Sequence, residues 1–335
     1  MQFGEINHLI LFGGGGLLAG LLSRAKAAGW SVDVVTSERH LDTKLEPLSV
    51  TLRSFLEEGG FKWIVSNDVN TDPVVHDLIT SQTLGISMGA AWLFKAAFIE
   101  RFAGRLVNVH GARLPQDRGG GGYSWRILRN DRLGYSLVHM IDAGVDTGDI
   151  VTYTEYFFPE SCRVPADYRE QALAKDLETL DQLLTDIQFG KEFHLRSQLK
   201  YLSSYWPRLN TDAHAFVDWN WDLKEIEQFI CAFDDPYAGA QTYVGDQRVR
   251  LKNCMSITVD GTFHPFQAGM VYRISAGALF IATRQGTLVV STVGDDDAND
   301  LLPKIRVGDR FYTPTEQIDS AKRFRAIYTP HGLKI

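Results

Sequence analysis

Cysteine is scarce in this chain. Its 3 cysteines, Cys162, Cys231 and Cys254, are odd in number, far apart in sequence and form no Cys-x-x-Cys. That pattern argues against a disulfide framework and fits a reducing, cytoplasmic setting. No Cys/His cluster has zinc-ligand spacing either, so no metal is expected. Long apolar runs are also missing. The longest is too short to span a bilayer, and the opening residues Met1 to Glu5 lack the basic region of a signal peptide, so no membrane role is expected. Positive charge is in short supply: 34 Lys and Arg against 41 Asp and Glu give a formal net charge of -7, and no basic run stands out. Proteins that grip nucleic acid broadly carry such a run, which weighs against a nucleic-acid partner.

What is present reads as an ordinary soluble fold, with 44% hydrophobic and 22% charged residues over 335 positions, a length that favours two domains. His8 to Phe12 is a short apolar strand. Gly13 to Gly16 and an apolar helix closed by Gly29 follow it, and then a second strand, Ser31 to Thr36. Strand and helix signals go on alternating: helix Leu48 to Glu58, strand Phe61 to Ser66, helix Pro73 to Thr80 capped by Asp72, strand Leu84 to Met88, helix Leu93 to Phe102 and strand Arg105 to Val109. This order predicts an α/β, Rossmann-like domain with a mainly parallel sheet covered on both faces. Gly14-x-Gly16-x-x-Ala19 with Glu38 also matches a loose dinucleotide fingerprint, which leaves open a nucleotide-binding module or an oxidoreductase built on that turn. A Gly-rich turn that only packs tightly would read the same way. Asp149 to Phe158 returns as a strand and Ala166 to Gln188 as a long helix. From Tyr201 the texture changes. Tyr205 to Asn210 reads as a linker, and Ala215 to Trp221 as an anchoring segment. Asp222 opens a helix to Phe233 with Glu225 in the capping-box position, and short alternating runs from Ala240 to Val293 predict a small β-rich, barrel-like module. The expected division is 1–205 and 206–335.

Between Val107 and Val151 stand three polar side chains of the kind acyl transfer uses. Asn108 and His110, two apart at the end of an apolar run, share one face of a strand. Asp146 sits in a Gly-Val-Asp-Thr-Gly turn just after the apolar run Tyr135 to Ile141. An amide, an imidazole and a carboxylate converging on one substrate atom can stabilise an oxyanion and move a proton. Each has a blander reading: strand-end His and Asn are commonly surface or turn residues, and Asp-Thr-Gly is commonly a turn. His139, within the second apolar run, reads as a core or near-site histidine. The four glycines from Gly119 to Gly122 read equally as a surface loop or as backbone closely approached by a ligand.

Taken together, Asn108-Val109-His110, Leu114-Pro115, Arg118-Gly119, Trp125 and the run from Asp142 to Asp149 resemble the signature of the folate-dependent formyltransferases. Asp218-Trp219 and Phe233, Pro236, Gly239-Ala240 and Thr242 resemble the opening of the C-terminal domain found in methionyl-tRNA formyltransferase and several relatives. The resemblance implies a Rossmann-like catalytic domain with a small β-rich domain behind it. It also implies a formyl group taken from 10-formyl-tetrahydrofolate, and Asn108, His110 and Asp146 as catalytic residues. It implies a folate seat on Trp92, Leu93 and Phe94 and on Asp142, Ala143, Gly144 and Val145, loops that offer the backbone groups and apolar walls a pterin needs. The chain departs from the family pattern at Ala112-Arg113 and where the Arg-Gly stretch runs on into glycines. Both departures lie where the amine should approach, with Arg113, Arg118, Tyr123 and Trp125 as expected substrate contacts. The acidic balance favours a nucleotide-linked amino sugar as acceptor, of the sort used in lipopolysaccharide O-antigens, with initiator methionyl-tRNA as the rival. A homodimer is expected.

Overall fold

The computed structural model describes residues 1–45, 49–120, 122–329 and 332–334. Leu48, where a helix was expected to begin, and Gly121, inside the glycine run, lie outside them. Seven strands form the first sheet: β1 (His8–Gly13), β2 (Ser31–Thr36), β3 (Lys62–Val65), β4 (Thr83–Met88), β5 (Leu106–His110), β6 (Leu133–Met140) and β7 (Ile150–Phe157). Their order is β7-β6-β5-β4-β1-β2-β3. The strands from β5 across to β3 are parallel, and β6 and β7 add an antiparallel edge. The register that matters sets Asn108 directly opposite His139 across the β5–β6 pair and beside Ser87 on β4. Side chains opposite each other on neighbouring strands share one face, so strand pairing alone brings the amide and that imidazole together.

Helices cover both faces, as the alternation predicts. The first helix, α1 (Gly15–Ala27), ends where Gly29 takes φ +85°, a left-handed conformation that costs glycine little. Together with α2 (Pro165–Gln188) it packs a leucine-rich core that includes Leu18, Leu22, Leu177, Leu180 and Leu184 against one side of the sheet. The other side is packed with Phe12, Phe98, Phe102, Val75 and Trp92. Three predicted helices are shorter than expected, Leu52–Glu58, Pro73–Asp77 and Ala96–Arg101, and the last leaves Leu93 and Phe94 in the loop after β4.

One acid faces the wrong environment. Asp176 of α2 is buried beside Ser136, and burial pushes its carboxyl up to about 6. Because the folded-state value lies above the unfolded one, ionising this group costs stability as pH rises through that interval, and the cost persists above it. Asp176→Asn should therefore raise the unfolding midpoint at about pH 8 by an amount equivalent to roughly 3 kcal/mol, with little change near pH 4. Calorimetry at the two pH values reads this directly.

After α2 the chain is tied back to the first sheet's side of the molecule. Tyr205–Trp206, expected as linker, pairs as a short parallel strand with Arg118–Gly119. Ala215, Phe216, Val217 and Trp219 are buried, so the anchoring segment anchors as expected. Helix α3 (Leu223–Ala232) opens with the Asp222 backbone N–H donating to Glu225 Oε2 at 2.9 Å. The second sheet comprises β8 (Ala240–Val244), β9 (Gln247–Ile257), β10 (Val271–Ser275), β11 (Ala278–Thr283), β12 (Gly286–Gly294) and β13 (Phe311–Tyr312), in the antiparallel order β10-β11-β12-β9-β8-β13. Val271 N–H donates to Asp309 O, and Gly308 and Phe311 N–H donate to Val271 and Gly269 O, each at 2.8 Å. These bonds join the first strand of the order to the last, so the sheet curls into the expected barrel-like module. The three cysteines are buried and free. Among the described residues no helix is long and apolar enough to cross a membrane.

Candidate active site

Four side chains meet at the end of β5. Asn108 Nδ2 lies 3.1 Å from His139 Nε2, and the other nitrogen of that ring, Nδ1, donates to Met140 O at 2.8 Å. His110 Nε2 donates to Asp117 O at 2.7 Å, which leaves Nδ1 free to accept; it lies 3.8 Å from Asp146 Oδ1. The loop after β6 folds back over this face and brings Asp146 Oδ1 to 3.6 Å from His139 Nε2, while Oδ2 accepts from Gly119 N–H at 2.8 Å. Burial lowers the His110 pKa below the ordinary imidazole value, and the His139 ring lowers it further against the opposing pull of Asp146. His110 is therefore neutral near pH 7 and able to take a proton at Nδ1. Burial pushes the Asp146 carboxyl up, but His139, His110 and the Gly119 N–H together outweigh it and hold the group down at about 2. A neutral imidazole facing a fixed carboxylate is suited to accept a proton and to be stabilised once it has. The ligand-type atoms of His110, His139 and Asp146 also lie within 4.8 Å of one another, a spacing that a divalent cation would accept. Bonds to backbone groups, His110 to Asp117 O, His139 to Met140 O and Asp146 from Gly119 N–H, account for the orientation of each without one.

The Asp146 loop is built by its own sequence. Asp142 Oδ1 accepts from Gly144 N–H at 3.0 Å and from the Thr147 hydroxyl, closing the turn. Asp146 itself has φ +53°, a left-handed conformation that Asp and Asn tolerate better than most residues. From outside, Gln198 brackets the loop: its Nε2 donates to Asp146 O at 3.0 Å and to Gly148 O at 2.7 Å, and its Oε1 accepts two bonds from the Arg118 guanidinium, at 2.8 and 3.2 Å. Gly119 must be glycine. It has φ +85°, and a Cβ there would collide with the Tyr205 ring and the Trp206 carbonyl.

Two cavities flank the group. One, of about 290 Å³, is lined by Trp92, Leu93 and Phe94 and by Asp142, Ala143, Gly144 and Val145, together with Asn108, His110, His139 and Asp146. All seven residues expected to seat the folate thus gather around one cleft. Trp92 and Phe94 serve the core as well, Trp92 donating to Asn67 O and Phe94 packing on Phe12 and Phe98, whereas Leu93 is 73% exposed. The second cavity, about 490 Å³, is lined by Tyr123 and Trp125 and reaches Phe233, Tyr237 and Tyr328 of the C-terminal part. His110, Gly111 and Gly119 line both, so the histidine stands where the cavities meet. Arg113 and Arg118 line neither. Arg113 is exposed beside Tyr135, and Arg118 spends its fork on Gln198, so its place is under the Asp146 loop rather than against a substrate. The glycine run answers its two readings with a third: Gly120 N–H bonds Trp206 O at 2.9 Å, and a Cβ on Gly120 would press on the Arg208 backbone at 2.6 Å. Close approach of backbone to backbone is what requires glycine there.

Residues 9–182, more than half of the chain, match the family model for formyl transferase, and residues 210–301 match that for the formyl transferase C-terminal domain. The chain belongs to the formyl transferase family. Its sequence is 26% identical over 212 residues to the methionyl-tRNA formyltransferase of Pseudothermotoga lettingae, which is 63% of this chain and 67% of that protein. Matches to this and six other methionyl-tRNA formyltransferases span 54–67% of those proteins' length. Among solved structures, WlaRD, a sugar 3N-formyl transferase crystallised with dTDP and 5-N-formyl-THF, superposes with a TM-score of 0.62 at 17% identity, covering 85% of this chain and 96% of that one. An N-formyltransferase from Helicobacter canadensis, in complex with folinic acid and dTDP-3-aminofucose, gives 0.62 at 16% identity, covering 86% and 99%. At these identities the likeness is one of fold.

For a formyl transferase the Gly13–Gly16 turn is a packing device. A Cβ at Gly13 would collide with the Met88 carbonyl, and the His40 ring lies against Gly14, 2.8 Å from where a Cβ would be. Glu38, the residue a dinucleotide site would use, is instead paired with Arg53 at 2.8 Å. Sequence reading assigned no role to Gln198 or to the Asp117 carbonyl, and only the β5–β6 register could have drawn His139 in. Gln198→Leu should lower kcat by about 10- to 100-fold through a displaced Asp146. The acid limb of the rate profile should move to lower pH, though by less than when the Asp146 carboxylate is removed, since its pull on His110 is weakened rather than lost. Steady-state rates across pH check both points.

Proposed function

We propose that this protein transfers the formyl group of 10-formyl-tetrahydrofolate to the primary amine of a nucleotide-linked amino sugar. One observation carries the reading: His110 lies where two separate cavities meet, one with the expected folate loops as its walls and the other open to an acceptor. The amine nitrogen attacks the formyl carbon and loses a proton to His110 Nδ1, directly or through water, and Asp146 stabilises the resulting imidazolium. Asn108 donates its amide to the formyl oxygen as it becomes an oxyanion. The tetrahedral centre collapses by breaking its bond to the folate nitrogen, and the proton held on His110 returns to that nitrogen. Residues 1–205 carry the chemistry in this reading, and 206–335 complete the acceptor side.

An amino sugar is favoured over charged tRNA by the walled second cavity, by the net charge of -7, and by fold neighbours solved with dTDP and a dTDP-sugar. The sequence relatives favour the methionyl-tRNA reading. Mass detection of formylated product, with a panel of nucleotide-linked amino sugars set against charged initiator tRNA, decides between them. Tryptophan fluorescence titrated with 5-formyl-tetrahydrofolate and with NAD tests the donor. Indifference to folate would end the proposal.

A further inference from the structure

The second cavity has an unusual charge balance. Among the described residues no carboxylate lines it, yet Arg126, Arg169 and Arg208 do, in a chain that is acidic overall. Arg126 is fully buried and committed to the Leu133 and Gly111 carbonyls, with Asp131 3.9 Å away. The other two are different. Among the described residues neither Arg169 nor Arg208 has an ion pair. Arg208 lies over the Tyr328 ring, 5.0 Å from its centre. Behind it stands Arg39, half-buried, close enough to Arg208 and Tyr328 to be influenced by both, with its Nε buried and lacking a hydrogen-bond partner. Two guanidinium groups with no ion-paired acid among the described residues repel each other, and a buried N–H left without a partner among them adds to that cost. An anion bound in the cavity beside Arg208 would relieve that repulsion.

Arg169, near the start of α2, and Arg208, after Tyr205–Trp206, reach one cavity from separate stretches, with Arg39, after β2, near Arg208, so no local sequence feature accounts for the arrangement. The surrounding walls are aromatic: Trp125, Phe233, Tyr237 and Tyr328. Planar, fork-shaped donors suit phosphate oxygens, and aromatic faces suit a nucleobase. Resting on the formyl-transfer reading above, we propose that Arg169 and Arg208, backed by Arg39, hold the diphosphate of the acceptor, so that the amino sugar beyond it reaches His110. The substrate is thereby narrowed to amines carried on a nucleoside diphosphate. A free amino sugar would lack the group that the cavity is charged to receive.

The test is calorimetric titration of the full chain with dTDP, UDP and inorganic pyrophosphate, and separately with 5-formyl-tetrahydrofolate. All three diphosphates should bind wild type, with a shallow salt dependence matching a few released counterions. Arg169→Gln and Arg208→Gln should each weaken diphosphate binding by about 10- to 100-fold, and Arg39→Gln by about tenfold. Unchanged 5-formyl-tetrahydrofolate affinity in each variant shows that the fold is intact. Wild-type affinity for diphosphates in both Arg169 and Arg208 variants would overturn the inference. So would a wild-type protein that binds the folate but no diphosphate, or one that binds only charged initiator tRNA. Diphosphate binding that depends on these arginines, in a protein that ignores folate, would keep the anion site and discard the formyl-transfer reading instead.

Discussion

Asp146→Asn should lower kcat by about 10²- to 10⁴-fold, the range expected when a general base loses its support, and His110→Ala should do at least as much. The substitution is well controlled. Asparagine tolerates the left-handed backbone at this position and can still accept from Gly119 N–H, so the loop keeps its shape and only the charge goes. That charge faces His110 Nδ1 across 3.8 Å in a buried site, where an uncompensated imidazolium is costly. The pH profile supplies a second readout. Burial already lowers the His110 pKa, and Asp146, ahead of the bond to Asp117 O, pulls it back up. If neutral His110 is the base, activity rises with pH through that value and levels off by neutrality. Removing the carboxylate then moves the acid limb to lower pH while the plateau drops. A limb that moves up, or a kcat near wild type, would contradict the assigned roles.

Asn108→Ala should reduce kcat by about 10²- to 10³-fold, the effect of deleting one preorganised oxyanion donor. Asn108→Asp is the sharper version, since it keeps the shape, removes the donor and adds a charge that repels the oxyanion. The amide is aimed by structure rather than by solvent: its partner at 3.1 Å is His139, set opposite it by the β5–β6 register and locked by its own bond to Met140 O. Affinity for 5-formyl-tetrahydrofolate should stay within a few-fold of wild type, because the interaction strengthens only as the formyl oxygen gains charge. Single-turnover rates beside folate titration separate the two quantities. A variant that lost binding and kept its rate would assign Asn108 to the donor seat.

Much of this arrangement was legible in the chain. Strand periodicity put Asn108 and His110 on one face, and turn chemistry put Asp146 in a loop, because both depend on neighbours a few residues away. What stayed hidden depends on distance in sequence. Tyr205–Trp206 looks like linker until Arg118–Gly119 is beside it, since two residues carry no period. Arg118 looked like a phosphate ligand because a guanidinium on a loop usually is one or is unemployed. Its partner Gln198 lies far along the chain with no motif around it. Arg169 and Arg208 are ordinary surface arginines in sequence, and only folding sets them on one cavity with Arg39 near Arg208. The β-rich module was readable from turn-punctuated alternation, but its closure depends on backbone bonds from residues 308–311 that the alternating runs did not reach.

That closure has a consequence for handling the protein. With residues 269–271 bonded to residues 308–311, the outer strands of the C-terminal sheet are partly occupied with each other and offer less free edge to strands from other copies when the protein is concentrated. The first sheet lacks this protection along β7, where Phe157 points into solvent, and sticking between molecules would begin there.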